Sequence, residues 1–301
     1  MMTAVVIDYN PEEAEMLTGM LFTLATGVIW GGLGICFSHV VRKGINYPGF
    51  MLCYYLLLML VSWSTFPKYS QLSGIPMSDI GWLMLFMLSS GTAGICGFRL
   101  MRKSMTSGPH SVIWAFGQSA VVMPCLFVII VFHENLTFSA GCGMVILLLG
   151  MVMIAPGRKN ILRSAGACAW FMPALAAFLM IGSSQILSLL PSYLLRQTAA
   201  SSLRVPLFAS AGLLWLIPVL RSPRPDWRKI IRPVLVYAGF GIGGQYLLYR
   251  ALDEMSAVGR GALVYPLAIG ISAVLCAGHR NQRGNARHCR LPPQRRLAGI
   301  R

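Results

Sequence analysis

The sequence predicts an all-α polytopic membrane protein, built as an inverted repeat of five-helix units (5+5) in which nine spans are clear. Three observations predict this fold. Hydrophobic residues make up 56% of the chain and charged residues only 11%, against roughly 25% charged residues in a soluble domain. Nine apolar runs are each long enough to cross a bilayer. Finally, the pattern of the third and fourth runs recurs 150 residues later in the eighth and ninth.

Each predicted span is an apolar run of about 17 to 25 residues, the length that crosses the hydrocarbon core. The runs lie at 16–38, 48–66, 81–101, 108–132, 137–155, 165–190, 203–220, 233–252 and 256–277. Because the connections between them are short, neighbouring helices are expected to be antiparallel. The acidic N-terminal segment 1–15 lacks the basic start of a signal peptide, so we expect the first run to be retained as a span.

The repeat is carried by glycines and by the residues around them. The matched pairs at an offset of 150 residues are Gly91 with Gly241, Gly94 with Gly244 and Met105 with Met255. The same offset carries spans one to four onto spans six to nine. Five spans per copy is an odd number, so the two copies are predicted to lie upside down relative to each other. The first repeat then covers 16–155, a basic linker 156–164, and the second repeat 165–277 with four spans.

The fifth span of the second copy is expected near 287–305, but the segment 278–301 carries seven arginines, two adjacent prolines and no acid. Each arginine at a helix centre costs about 2.5–3.5 kcal/mol on insertion scales, so this segment is not a span. Two interpretations stay open. One is a basic tail on the membrane surface. The other is a frameshift or gene-model error after about Cys276, which the abrupt end of the apolar pattern favours.

The formal net charge of +16 is spread over the gaps between apolar runs and forms no single basic stripe. We therefore expect the lipid bilayer as a partner, and no nucleic acid. Twelve Lys and Arg residues fall on one face of the predicted membrane and five on the other. By the positive-inside rule this count places the acidic N-terminus outside.

Motifs for cofactors and for catalysis are not expected in this chain. The eight cysteines form no C-x-x-C pair, which argues against a metal site or a disulfide framework. There is no G-x-x-x-x-G-K-[ST] motif for ATP, and the five histidines lie at span ends or in the tail without a paired acid at depth. We therefore predict no cofactor, no metal and no catalytic residue, and we do not expect an enzyme.

Four stretches carry a resemblance to a known family. They are ATGVIWGG in the first span, RLMRKSMTSGP after the third, YRALDEMSAVGRGALVYPL from the eighth into the ninth, and HENLTFSAGCGMVILLLGMVMI at the fifth. On these stretches the chain resembles the drug/metabolite transporter (DMT) superfamily, specifically its EamA-type transporters, over residues 16 to about 277. The resemblance implies ten helices in two inverted repeats with both ends in the cytoplasm. The charge count and the absence of a normal tenth helix depart from that pattern.

Uncharged polar and aromatic side chains are the candidates for a binding site, because no Asp or Glu lies in the middle of a span. This favours a neutral, zwitterionic or anionic substrate over a proton-exchanged cation. We hypothesise that glutamines at membrane depth face a central wet cavity and bind substrate, and that aromatic rings form its walls. The predicted substrate-binding residues are Gln118, Gln185, Gln245, Trp114, Tyr265 and Trp30. In the alternative, each glutamine bonds across to a neighbouring helix.

Charged residues near the span ends are expected to have structural roles. Arg99 and Arg250 are expected to snorkel to the headgroups rather than bind an anion. Asp253 and Glu254 are expected to neutralise Arg250. Glu134 is expected to help cap the fifth helix, where the helix dipole favours an anion.

Taken together, the residues and the resemblance predict a multi-pass secondary transporter of the cytoplasmic membrane that moves small metabolites, such as amino acids, sugars or related compounds, by alternating access. The alternative is a non-transporting or truncated membrane protein, or a partner subunit of a membrane complex. The substrate, the direction of transport, the coupling ion and the oligomeric state, with a homodimer among the options, stay open at this point.

Overall fold

The computed structural model describes residues 11–67, 75–107, 110–135, 167–195, 202–222 and 226–275, with a few single positions between 138 and 149. Within these ranges the chain is almost entirely helical and none of it is in a strand, which confirms the predicted all-α class for this part. The predicted fifth span at 137–155 falls mostly outside the described residues. The basic linker and the basic tail lie outside them entirely.

The elements follow one another with short connections. They are α1 (Pro11–Arg42), α2 (Tyr47–Thr65), α3 (Met77–Met105), α4 (His110–Gln118), α5 (Val122–Val131), α6 (Ala167–Leu194), α7 (Arg204–Ser210), α8 (Leu216–Leu220), α9 (Trp227–Ala257) and α10 (Gly261–Leu275). Short 3₁₀ turns join α4 to α5 and α7 to α8, and another opens α10.

Four of the described helical segments are long and apolar enough to cross a membrane: Glu13–Phe37, Tyr47–Thr65, Met77–Met105 and Trp170–Leu194. Three further apolar segments are shorter: Phe116–Val131, Arg204–Leu220 and Gly261–Leu275. Spans of this length and composition indicate a membrane protein. The predicted windows for spans one, two, three and six coincide with the four long segments.

The surface of the bundle is apolar and much of its polar content is inside. Large side chains stand outward, with Leu60 63% exposed, Ile130 67% and Leu17 60%. The fully buried polar residues are instead Thr23, Thr26, Ser62, Ser90, Ser104, Ser184, Ser188 and Arg204. A soluble domain seldom exposes so many large apolar side chains, whereas lipid tails solvate them without cost. This distribution agrees with helices that face lipid.

Two helix boundaries differ from the predicted windows. The fourth window is broken, because Pro124 has no N–H to donate to the carbonyl four residues earlier and the chain tightens into the 3₁₀ turn Ser119–Val121. The helix of the eighth predicted span is α9, and it continues to Ala257. As a result α10, the helix of the ninth predicted span, starts at Gly261 rather than at 256. Between them Gly259 adopts a left-handed φ of 64°, which glycine tolerates and which ends α9.

Helix pairing follows a regular pattern. The two most extensive contacts are α3 with α6 and α1 with α9. The helix α2 packs on α7 and α9, and α3 packs on α7. The segments α4 and α5 lie along α6, and α1 lies along α10, where a Cβ added to Gly27 would come within 2.8 Å of the Ala268 carbonyl oxygen.

The glycines matched by the repeat lie at close helix contacts. A Cβ added to Gly91 would lie 2.6 Å from the Cβ of Ala211, between α3 and the turn after α7. A Cβ added to Gly241 would lie 2.5 Å from the hydroxyl of Tyr54, between α9 and α2. Real Cβ atoms do not approach other atoms so closely, so a side chain at Gly91 would press on the backbone of Phe208, and one at Gly241 would have to displace the end of the Tyr54 side chain.

Candidate functional site

The most deeply buried charge in the described chain belongs to Arg204, the first residue of α7, which is 1% exposed. Its Nη1 donates to Oδ1 of Asp253 at 2.6 Å and to the hydroxyl of Ser192 at 2.9 Å. Its Nη2 donates to the backbone carbonyl of Ser188. One guanidinium therefore ties α7 to α6 and α9. We call Ser188, Ser192, Arg204 and Asp253 the polar cluster.

The polar cluster is only partly satisfied. Ser192 donates a second hydrogen bond to Oδ1 of Asp253 at 2.7 Å, and the Cζ of Arg204 lies 4.4 Å from the ring centroid of Tyr249. Among the described residues, however, Nε of Arg204, Oδ2 of Asp253 and the hydroxyl of Tyr249 are buried without a hydrogen-bond partner. A buried polar atom left unpaired costs about 1–3 kcal/mol. These groups retain unused capacity to bind water, an ion or a ligand.

The polar cluster adjoins three of the predicted binding residues. The hydroxyls of Ser188 and Tyr265 hydrogen-bond each other, and Ser188 also donates to the carbonyl of Gln185 at 2.9 Å. Since Ser188 has one proton, Tyr265 donates in the first bond. The ring of Tyr265 lies 6.3 Å from that of Trp30, and Oε1 of Gln185 is buried without a partner in the described chain. We call Trp30, Gln185 and Tyr265 the α1–α6–α10 group.

The other three predicted residues lie apart from this group. Trp114 stacks on Phe37 with centroids 5.9 Å apart, within an aromatic cluster around α2. Gln118 ends α4 at the 3₁₀ turn and makes no capping hydrogen bond. Gln245 is half-buried on α9, one residue after Gly244, whose added Cβ would lie 3.1 Å from the indole of Trp30. Of the six, Trp30 contacts Tyr265 directly, and Gln185 is joined to Tyr265 through Ser188.

A second carboxylate lies beside the polar cluster. Glu134 accepts a hydrogen bond from the hydroxyl of Tyr193, and its two oxygens accept the backbone N–H groups of Gly261 and Ala262, each at 3.0 Å. The start of the fifth helix, which Glu134 is predicted to cap, lies outside the described residues, and within them the carboxylate caps α10. The carboxylate reaches across the bundle because Gly261 and Ala262 offer the free N–H groups at the start of α10, which a carboxylate satisfies.

Of the two acidic residues expected to neutralise Arg250, only Glu254 does so. Glu254 binds Arg250 one turn away on α9 at 2.8 Å, and both side chains are partly exposed. Asp253 does not neutralise Arg250 in this structure, since it forms an ion pair with Arg204. The exposed Arg99 places its Cζ 5.8 Å from the ring centroid of Trp215.

Arg204 and Asp253 are the functional candidates that sequence reasoning missed. Counting basic residues by loop assigned Arg204 to a membrane face, although it is the second residue of the predicted apolar window 203–220. A basic residue inside one span window and an acid at the end of a neighbouring one was the available signal. Charges inside predicted membrane spans usually pair with one another and mark functional sites.

Neither a metal nor an electrophilic centre is evident in the described part of the chain, where no three His, Cys, Asp or Glu residues cluster closely enough to hold an ion. The chemistry that the polar cluster and the α1–α6–α10 group offer is hydrogen bonding, charge pairing and aromatic contact. Those are the interactions of a binding site for a small molecule.

Comparison of the whole chain with protein-family models finds no match, and comparison with curated proteins finds none either. Function is therefore inferred from the residues and contacts of this chain.

Proposed function

We propose that the chain is a multi-pass secondary carrier of the cytoplasmic membrane, with the two inverted repeats of the EamA-type transporters, and that it moves small metabolites by alternating access. The observation that carries this proposal is the pattern of helix pairing. When the sequence is shifted by 150 residues, α1 falls on α6, α2 on α7, α3 on α9, and the α4–α5 pair on α10.

Under that exchange, the described contacts map onto one another. The pairing of α3 with α6 becomes that of α9 with α1, and these are the two most extensive pairings. The contact of α2 with α9 becomes that of α7 with α3, and α4–α5 along α6 becomes α10 along α1. Two halves related by a two-fold axis produce this exchange, and in the proposed carrier, with five spans per half, that axis lies in the membrane plane.

The position of the polar groups supports a binding site between the two halves. In the proposed carrier, Trp30 on α1 belongs to the first repeat, and Gln185 and Tyr265 on α6 and α10 belong to the second. Inverted-repeat carriers bind substrate near the bilayer midplane where their repeats meet. The α1–α6–α10 group offers two aromatic faces, an amide and hydroxyls to a neutral or zwitterionic solute.

The test is uptake by purified protein in liposomes, preceded by a thermal-shift screen to choose the solutes. A ligand present at about 100 times its dissociation constant raises the stability of the folded state by about 2.7 kcal/mol. The proposal expects at least one small metabolite both to raise the melting temperature and to accumulate in vesicles, with protein-free liposomes as the control. If no solute of a broad panel does either, the result favours the alternative, a non-transporting membrane protein, over the carrier.

A further inference from the structure

The polar cluster lies where several helices end or begin together. Arg204 opens α7, Asp253 lies in the last turns of α9, and Ser192 lies in the last turn of α6. Beside them, Glu134 joins the start of α10 to Tyr193 at the end of α6. Three helices, α7, α9 and α10, thus meet adjacent residues of α6 at this end, and polar contacts join them there beside the buried apolar ones.

Side chains of α6, α7 and α9 close this end of the bundle, but some of their buried polar atoms lack hydrogen-bond partners within the described chain. A buried ion pair adds little net stability, because desolvation offsets the attraction between the charges. Here one N–H of Arg204, one oxygen of Asp253 and the hydroxyl of Tyr249 also stay unpaired within the described chain. Separation of α7 and α9 would let water reach all three. The closed and open arrangements of this end are therefore expected to lie close in free energy, as a gate requires.

The closure stands directly over the candidate binding residues. The carbonyl that Arg204 binds belongs to Ser188, whose hydroxyl bonds Tyr265. Tyr265 in turn faces Trp30. A continuous chain of contacts therefore runs from the ion pair to the α1–α6–α10 group, and Ser188, 4% exposed, is the residue between them.

We propose that the ion pair between Arg204 and Asp253 is a gate, which closes one end of the carrier over the α1–α6–α10 group and breaks when that end opens. This inference rests on the proposed transport function. It assigns to the pair a step in alternating access, in which the guanidinium and the carboxylate part and are hydrated while α7 and α9 separate.

The test of the gate uses a Ser188→Cys variant of the purified full-length protein in nanodiscs. The thiol at position 188 reports access of solvent to the space behind the ion pair. A membrane-impermeant maleimide labels the thiol, and peptide mass measures modification at that site apart from the native cysteines. The Asp253→Asn change removes the charge that holds Arg204. The matched control is Glu254→Gln, which neutralises the adjacent carboxylate but affects only a pair within α9.

A third variant separates gating from support of the fold. Arg204→Met combined with Asp253→Leu replaces both charges by apolar side chains of similar size, which commonly preserves or improves stability when a buried pair is removed. This variant keeps the end packed and removes two of the three unpaired polar atoms, those of Arg204 and Asp253. Its melting temperature shows directly whether the fold is retained.

If the pair is a gate, the Asp253→Asn variant should be labelled of the order of tenfold faster than the parent Ser188→Cys protein, and Glu254→Gln should be labelled at the parent rate. The apolar double variant should be labelled more slowly than the parent, and it should stay folded but lose uptake. If labelling is the same in all four proteins, or if the folded double variant transports like the parent, the pair only supports the fold and the gate is overturned. Labelling that changes as expected, while the protein that retains native Ser188 transports no solute, would uphold the gate and contradict the proposed transport function instead.

Discussion

Arg204 and Asp253 are 49 positions apart in the sequence, and their side chains meet at 2.6 Å inside the bundle. The pair joins two helices of the second half to each other, and through Ser192 and Ser188 it joins both to α6. Because Arg204 is 1% exposed, its charge has almost no access to solvent and depends on these partners.

Removal of the carboxylate at Asp253 is expected to destabilise the fold. The Asp253→Asn change leaves Arg204 buried without its counter-charge, a loss of about 3 kcal/mol. That figure is the lower end of the usual range for a buried pair, since the side chain of Asp253 is 20% exposed. The measurement is thermal unfolding of the purified protein in detergent. The Glu254→Gln variant should lie within about 1 kcal/mol of the parent, because Arg250 and Glu254 are both partly exposed. Equal losses in the two variants would contradict the structural role given to Asp253.

The Glu134 carboxylate is expected to hold the start of α10. Glu134→Ala removes the acceptor for the N–H groups of Gly261 and Ala262, and the loss of such a cap costs about 1–2 kcal/mol. Hydrogen exchange at residues 261 and 262 should therefore accelerate. The Tyr193→Phe variant is the matched control, since it removes one donor to Glu134 and leaves both backbone bonds in place. Exchange that is unchanged in Glu134→Ala would show that the cap is unimportant.

Gly91 and Gly241, one of the two glycine pairs matched by the repeat, are expected to differ in their tolerance of alanine. Gly91→Ala places a Cβ 2.7 Å from the backbone oxygen of Phe208, which cannot move aside, so we expect a loss of about 2–3 kcal/mol. Gly241→Ala meets the end of the Tyr54 side chain, which has some freedom, and should cost less. Gly239→Ala is the control on the same helix, since nothing lies within 4 Å of its added Cβ.

At Gly239 the change to alanine is expected to stabilise α9 by up to about 1 kcal/mol, because alanine is the better helix former. Melting temperatures of the three variants make the comparison. A result in which Gly91→Ala is as harmless as Gly239→Ala would mean that α3 and α7 are not packed as described.

Alanine substitution is expected to separate the predicted binding residues that contact substrate from those that only support the fold. Within the proposed carrier, Trp30→Ala and Gln185→Ala should lower the uptake rate by roughly tenfold or more, the factor that corresponds to about 1.4 kcal/mol. Trp114→Ala should act mainly on stability, since its ring packs on Phe37. Uptake kinetics and melting temperatures together distinguish the two effects. The cavity hypothesis fails if alanine at Gln118, Gln185 and Gln245 leaves transport normal in every case.

The long helices were predictable because their apolar runs exceed the width of a bilayer without interruption. The windows at 48–66 and 81–101 lie within a few residues of α2 and α3. Breaks inside an apolar run are less visible, since hydropathy does not register the missing N–H of Pro124 that turns the fourth window into two helices. The boundary between α9 and α10 moved because Leu252 and Met255 are buried and extend α9 past its charged residues.

The candidate site was predictable only in its uncharged part. Trp30, Gln185 and Tyr265 were singled out as polar or aromatic residues at membrane depth. In the structure Trp30 contacts Tyr265, and Ser188 joins Gln185 to Tyr265. Arg204 was missed because a count of charges by loop treats every basic side chain near a span end as facing headgroups. Its burial depends on an acid on another helix, a tertiary fact that no local window contains.

The separation of Arg204 from its partner along the chain also bears on how the protein is made. A ribosome that delivers the polypeptide to a bilayer from its N-terminus releases Arg204 49 residues before Asp253. An arginine buried in hydrocarbon without its counter-charge is costly, so nascent α7 should stay near the headgroups until α9 follows. The second half of the protein is thus expected to settle as a unit late in synthesis, and nascent chains that stop short of Asp253 are the ones that quality-control proteases should recognise.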